Sequence, residues 1–220
     1  FWDRSVFPLD KYPGLGNYRI LAHDNGIVSL YAHLEDGVTL QKQYKAGESL
    51  GMMANTGRSY GKHLHFTLIK SKSGKSVNPM KVLPEVTDNN PPVISGIYIR
   101  VDDHYYFINE GSNIRLTKHY PLLLDIHDSF NGSEKCGIYE LNINLNGQKI
   151  YSVRFDQIGN SKNGLTISGK IFHSLFDEKG YYRIPGVSYR DGLNTVTITA
   201  RDYAGHTSTK KYSFNVKLDI

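Results

Sequence analysis

Gly57-Arg58-Ser59-Tyr60-Gly61-Lys62-His63-Leu64-His65-Phe66-Thr67 places two histidines two residues apart, at the start of a run rich in aromatic and β-branched residues. That run, Leu64 to Ile69, reads as a strand. Side chains on a strand alternate between faces, so His63 and His65 are expected on one face, their imidazoles converging on one point. Neutral imidazole is the commonest protein ligand for zinc, and a histidine off the metal serves as a general base or as a donor to a developing oxyanion. Gly57 and Gly61 on either side let the backbone approach the site closely. Spacing alone is met more often by two surface histidines on a half-exposed strand, so the pair needs support from the rest of the chain.

Upstream, Asn17 to Asp24 and Ile27 to Leu34 are strand-like runs separated by Asn25-Gly26, the strongest short hairpin signal, and the arms carry His23 and His33. Before them, Phe1 to Gly16 holds Pro8, Pro13, Gly14 and Gly16 and reads as an irregular lead-in. Leu40 to Met53 reads as short strands broken at Ala46-Gly47 and Gly51. Downstream comes a polar turn at Ser71 to Lys75, then Asn78-Pro79 leading into Lys81 to Leu83.

Residues 84–92, with Pro84, Pro91 and Pro92 among polar residues, have linker chemistry and divide an expected first domain at 1–83 from a second at 93–220. The second domain shows the pattern of an antiparallel sandwich, with strands expected at Val93 to Arg100, Leu122 to His127, Gly137 to Leu145, Ile150 to Phe155, Thr195 to Arg201 and Tyr212 to Val216. Asn146-Gly147, Asp191-Gly192 and Ala204-Gly205 mark its turns. Lys170 to Asp177 fits a short helix or a loop.

The 220 residues are enough for one or two domains, and 21 Gly, 16 Tyr and many Val, Ile and Thr with no long helical period favour β structure throughout. The net charge of +5, concentrated in the first 85 residues, suits an anionic polymer such as a cell wall, although a solvated surface explains such a bias more often. Cys136 is the only cysteine, which excludes an intramolecular disulfide and a thiolate-rich zinc site; it reads as a small core residue. No apolar run approaches a membrane span, and no feature points to nucleic acid or to membrane insertion. The chain opens on Phe1 without a signal peptide, as expected of a processed form or of part of something longer.

Taken together, Gly16-Asn17-Tyr18, Ala22-His23-Asp24-Asn25-Gly26, Leu30-Tyr31-Ala32-His33-Leu34, Lys45-Ala46-Gly47-Glu48-Ser49-Leu50-Gly51, Asn55-Thr56-Gly57, Gly61-Lys62-His63-Leu64-His65-Phe66 and Val77-Asn78-Pro79 closely resemble the lysostaphin-type (LytM-like) zinc endopeptidases. The match spans roughly residues 14 to 83. It implies the carboxy-terminal part of a small antiparallel β fold with a groove, one zinc ion as cofactor, and hydrolysis of peptides in peptidoglycan, in an extracytoplasmic setting such as the periplasm. Carried over residue by residue, His65 matches a zinc ligand, His63 the catalytic first position of the His-x-His pair and His33 the second catalytic histidine. His23 matches a position often held by histidine without a catalytic role, and Lys62 stands where proline is more usual.

The family's other two zinc ligands, a His and an Asp in a His-x-x-x-Asp motif, have no counterpart in Phe1 to Gly16, where Asp3 and Asp10 are the only acids. A catalytic zinc site uses three protein ligands plus water. Either another segment or another chain supplies the missing pair, or the metal has been lost. The survival of His33, His63 and His65 favours the first explanation.

In the second domain, Gly192-Leu193-Asn194-Thr195-Val196-Thr197-Ile198-Thr199-Ala200-Arg201-Asp202-Tyr203-Ala204-Gly205-His206 resembles the closing strands of bacterial immunoglobulin-like modules. The expected fold is therefore all-β: a partial LytM-like antiparallel fold followed by an immunoglobulin-like β-sandwich. Asp128 and Asp202 are open to reading as calcium ligands, but an aspartate capping a turn is the commoner role. His104, His119, His127, His173 and His206 lack metal spacing. The leading expectation is a zinc-dependent peptidoglycan endopeptidase with a sandwich accessory domain. Its alternatives are a catalytically inactive scaffold that binds cell wall or activates another hydrolase, and a subunit of an envelope assembly.

Overall fold

The computed structural model describes residues 14–37, 41–83, 87–130 and 134–219. The lead-in before Gly14, with Asp3 and Asp10, lies outside these, as do Leu40 and the first three residues of the expected linker. Regular structure among the described residues is β-strand with two short 3₁₀ turns, in keeping with an all-β chain. The chain divides into two compact units, Phe1–Leu83 and Pro84–Ile220.

In the first unit, β1 (Asn17–Ala22), β2 (Ile27–Leu34), β3 (His65–Lys70) and β4 (Ser76–Val77) pair antiparallel in succession. The β1–β2 hairpin closes as expected at Asn25-Gly26: Gly26 takes φ +75°, and the N–H of His23 donates to the Ile27 carbonyl at 2.9 Å. β2 is central, and Leu30, Ala32 and Leu34 are buried with Leu68 of β3. A 3₁₀ turn at Pro79–Lys81 follows, its N-cap the Asn78 side chain accepting the Met80 N–H.

Two expectations for this unit fail. Residues 41–53 hold no strand, only an isolated bridge from Met53 to Leu34. Their backbone groups are satisfied by loop contacts instead, such as Glu35 N–H to Met52 carbonyl, and Gly47 and Gly51 adopt positive φ that a ladder would not accept. The second failure bears on the site. β3 begins at His65, so His63 stands in the preceding loop and the two histidines do not share a strand face. The strand that would extend the pairing ends at Leu34, which is committed to Asn17 and Met53.

The second unit contains β5 (Val93–Val101), β6 (His104–Phe107), β7 (Asn113–Leu116), β8 (Leu122–Phe130), β9 (Glu134–Cys136), β10 (Glu140–Leu145), β11 (Gln148–Arg154), β12 (Gln157–Ser161), β13 (Gly164–Ile167), β14 (Lys170–Ile171), β15 (Tyr182–Ile184), β16 (Gly192–Arg201) and β17 (Thr207–Leu218). β12, β13 and β14 pair antiparallel in succession, and of the two larger sheets one runs β11-β10-β16-β17-β7 and the other β15-β8-β5-β6 with β9 on β8. Their inner faces share one core, with Ile97, Leu122, Leu141, Ile143, Ile198 and Phe214 fully buried. Strict in-out alternation along β10 and β16 builds the inner face of the first sheet. β7 and β17 pair parallel, an exception to the antiparallel expectation.

Lys170 to Asp177 becomes a two-residue strand, a 3₁₀ turn at Phe172–Ser174 and a bridge from Phe176 to Tyr182. Cys136, expected in the core, is exposed, because β9 is a three-residue strand attached to β8 alone. Replacing Phe214 by Ala removes a fully buried ring from between the sheets and should destabilise this unit by about 3–5 kcal/mol. A urea midpoint within error of the wild type would show that the shared core is not what holds the sheets together.

Candidate functional site

β1 and β2 are in register at Arg19 opposite Tyr31 and at Asn17 opposite Leu34, so Ala32 and His33 together face the single residue Tyr18. This is a β-bulge in β2. Ala32 lies across the ladder from His65, and unbroken alternation would send the His33 side chain to the opposite face. Instead His33 adopts φ +61°, a left-handed conformation that costs a non-glycine residue on the order of 1 kcal/mol. The His33 ring consequently turns toward the two histidines of the next segment. Its centroid lies 4.7 Å from that of His63 and 5.7 Å from that of His65.

Hydrogen bonds hold this strained residue on every side. The His33 N–H donates to the Leu15 carbonyl at 3.0 Å, and its carbonyl accepts from Ala54 at 2.8 Å. Its Nδ1 lies 2.8 Å from the Thr56 carbonyl. A carbonyl only accepts, so Nδ1 carries the proton and Nε2 keeps a lone pair. Thr56 is anchored in turn: its Oγ1 donates to the Leu34 carbonyl at 2.7 Å and accepts the Asn17 N–H at 3.1 Å. Gly16 makes room for this loop. It sits at φ +59°, and a Cβ there would stand 2.4 Å from the Thr56 carbonyl carbon and oxygen.

His63 is oriented by the same chemistry from a different source. Its Nδ1 donates to the Gly61 carbonyl at 2.9 Å, beside the Ser59 hydroxyl at 3.1 Å, and Nε2 is again left with a lone pair. His65 begins β3 with Nε2 3.1 Å from the Thr67 hydroxyl. Burial first, then the neighbouring charges of His33 and His63, hold its pKa below the ordinary 6.5, so the ring is neutral at pH 7, as a metal ligand must be. All three histidines line one open cleft of about 610 Å³, together with Arg58, Ser59, Tyr60 and Lys62.

The structure therefore brings His33, His63 and His65 together. His23 is not part of this cleft; its Nε2 lies 2.7 Å from the buried Ser29 hydroxyl within the hairpin. Sequence reasoning missed Thr56 and Ser59 as orienting residues. Thr56 had a signal in the Asn55-Thr56-Gly57 motif, whereas Ser59, four residues before His63, had none.

Because the unfolded chain takes up the His65 proton at a higher pH than the folded one, stability contributed by this ring is lost as pH falls from 6.5 through the folded-state midpoint. In an NMR titration of the metal-free chain, the His65 ring should titrate below 6.5, and His33→Ala should move its midpoint back toward that value. A wild-type midpoint at or above 6.5 would contradict the packing described. Gly16→Ala should displace the Thr56 loop and release His33, seen as loss of the slowed exchange of the Nδ1 proton.

Residues 5–79 match the model of Peptidase family M23, and a second family model matches residues 91–217. Curated relatives align with the same front part. DD-carboxypeptidase/endopeptidase Mpg of Neisseria gonorrhoeae is 40% identical over 77 residues, 34% of this chain and 17% of the relative. Peptidoglycan DD-endopeptidase ShyA of Vibrio cholerae is 39% identical over 81 residues, 36% of this chain and 18% of the relative. Murein hydrolase activator NlpD of Escherichia coli is 37% identical over 83 residues, 37% of this chain and 21% of the relative. The chain thus spans about a fifth of the length of these relatives. The hairpin, the bulge and the histidine-bearing loop all fall inside the matched segment, and through it this chain carries a domain of peptidase family M23.

Proposed function

We propose that the first unit hydrolyses peptide bonds in peptidoglycan, in an extracytoplasmic compartment, with zinc as cofactor. The observation that carries this reading is the reversal of His33 by a strained bulge, which spends stability to bring a third imidazole to His63 and His65. Zinc, when bound, supplies Lewis acidity toward the scissile carbonyl and a water of lowered pKa.

Among the described residues the donor set fits one ligand of such a site. His65 is neutral, it lines the cleft, and its Nδ1 is not engaged by Thr67. The remaining ligands, a His and an Asp, would come from another segment or another chain. His63 Nε2, with its lone pair fixed by the Gly61 carbonyl, takes the proton of the attacking water. His33, its Nδ1–H held by Thr56, takes the second proton of that water at Nε2 as the carboxylate product forms, and the two histidines pass both protons to the leaving amine as the C–N bond breaks. Lys62, exposed on the cleft rim, adds a cation where acidic wall peptides would enter. Residues 84–92 serve as a linker, and the second unit is an immunoglobulin-like accessory domain.

A second reading, a scaffold that activates a separate hydrolase, is supported by the 37% identity to a protein named as a murein hydrolase activator. Among the described residues no helix is long and apolar enough to cross a membrane, and neither reading requires one.

In the intact protein, His63→Ala and His33→Ala should each lower peptide release from purified peptidoglycan by about 10²–10⁴-fold, the range of a lost general acid or base, with zinc retained. His65→Ala should lose both zinc and hydrolysis. Hydrolysis at the wild-type rate in any of the three removes the enzymatic reading. Zinc-free protein that still stimulates a partner hydrolase after His65→Ala establishes the scaffold.

A further inference from the structure

His65 differs from the other two cleft histidines in which ring nitrogen is held. His33 and His63 are each engaged at Nδ1 by a backbone carbonyl, that of Thr56 and that of Gly61, and keep the lone pair on Nε2. His65 is engaged at Nε2, 3.1 Å from the Thr67 hydroxyl, and its Nδ1 meets no hydrogen-bond partner among the described residues.

β3 supplies the reason. His65 and Thr67 stand two residues apart on one strand, opposite Ala32 and Leu30 of β2, so their side chains leave the same face of the sheet. Among the described residues the Thr67 hydroxyl has no other polar contact. Thr56, by contrast, spends its hydroxyl on two backbone groups, the Leu34 carbonyl and the Asn17 N–H. A half-buried threonine whose hydroxyl serves a single ring sets the orientation of that ring rather than of the backbone.

Two properties of the ring need setting. The χ2 torsion of histidine is broad and two-fold, so the ring at the start of β3 has two orientations that exchange nitrogen for carbon. Neutral imidazole also has two tautomers, and only the nitrogen without the proton binds a metal. A hydroxyl that accepts the Nε2 proton fixes both: the ring cannot flip without losing the bond, and the lone pair is left on Nδ1. Histidines that ligate a metal are oriented in this way, by an outer partner that accepts the other ring N–H. We propose that Thr67 is the positioning residue of His65, its hydroxyl accepting from Nε2–H and so presenting Nδ1 to the cation. The inference rests on the zinc reading above and names the residue that selects the ligating atom.

The test has one arm without metal and one with it. In the metal-free full chain at about pH 8, where imidazole is neutral, long-range nitrogen–proton NMR correlations should show His65 protonated at Nε2. Thr67→Val should give a mixture of tautomers, and Thr67→Ser, which keeps the hydroxyl, should restore the wild-type state. Valine keeps the β-branch that suits a strand, so the urea midpoint should stay close to that of the wild type. In the intact protein, zinc affinity measured against a competing chelator should fall about 10–100-fold in Thr67→Val and recover in Thr67→Ser. Protonation of His65 at Nδ1 in the wild type overturns the proposal. So does a Thr67→Val protein with either the tautomer or the zinc affinity unchanged, or a Thr67→Ser protein that restores neither. A wild-type protein that binds no zinc defeats the function proposed above, while the metal-free arm still decides the role of Thr67.

Discussion

Everything in the first unit's cleft depends on one residue held in an unfavourable backbone conformation. His33 follows Ala32, which faces His65 across the ladder, so an unbroken β2 would place its ring on the wrong side of the sheet. The bulge opposite Tyr18 and the left-handed φ reverse that. Three hydrogen bonds hold the reversal: His33 donates to the Leu15 and Thr56 carbonyls and accepts from the Ala54 N–H. Local strain of this kind persists only where its surroundings over-determine it. Here the surroundings are a loop that fits because Gly16 has no side chain.

The same loop performs a second task. A backbone carbonyl selects the imidazole tautomer by accepting from one ring nitrogen, and both Thr56 and Gly61 do so. Two histidines from different segments thus present the same nitrogen with the same lone pair. His65 differs: its partner is a hydroxyl, which can donate or accept, and its lowered pKa keeps it neutral. One ring suited to a metal and two suited to moving a proton are arranged by ordinary backbone groups rather than by charged neighbours.

The two units handle buried polarity in contrasting ways. The cleft gathers three imidazoles and orients two of them through backbone carbonyls, those of Thr56 and Gly61. In the second unit the buried Asp202 carboxylate is instead satisfied by the turn it caps, accepting the N–H groups of Gly205 and His206.

The amino-acid order alone carried the all-β character, the Asn25-Gly26 hairpin, the family resemblance and the three histidines. Each of these is a local pattern, written in turn chemistry, alternation or short motifs. It also carried the capping role of Asp202, because an aspartate cap acts within four residues of itself. It misread the neighbourhood of His63, taken as strand, and the 41–53 segment, whose glycines take up loop contacts in place of a ladder. Cys136 was misplaced because its burial depends on how many strands flank β9. The reversal of His33, the anchoring by Thr56 and the approach of Asp88 to Asp202 and His206 were settled by folding. A bulge is a property of two strands in register, and a cluster is a property of distant segments in contact; neither is encoded in spacing along one chain.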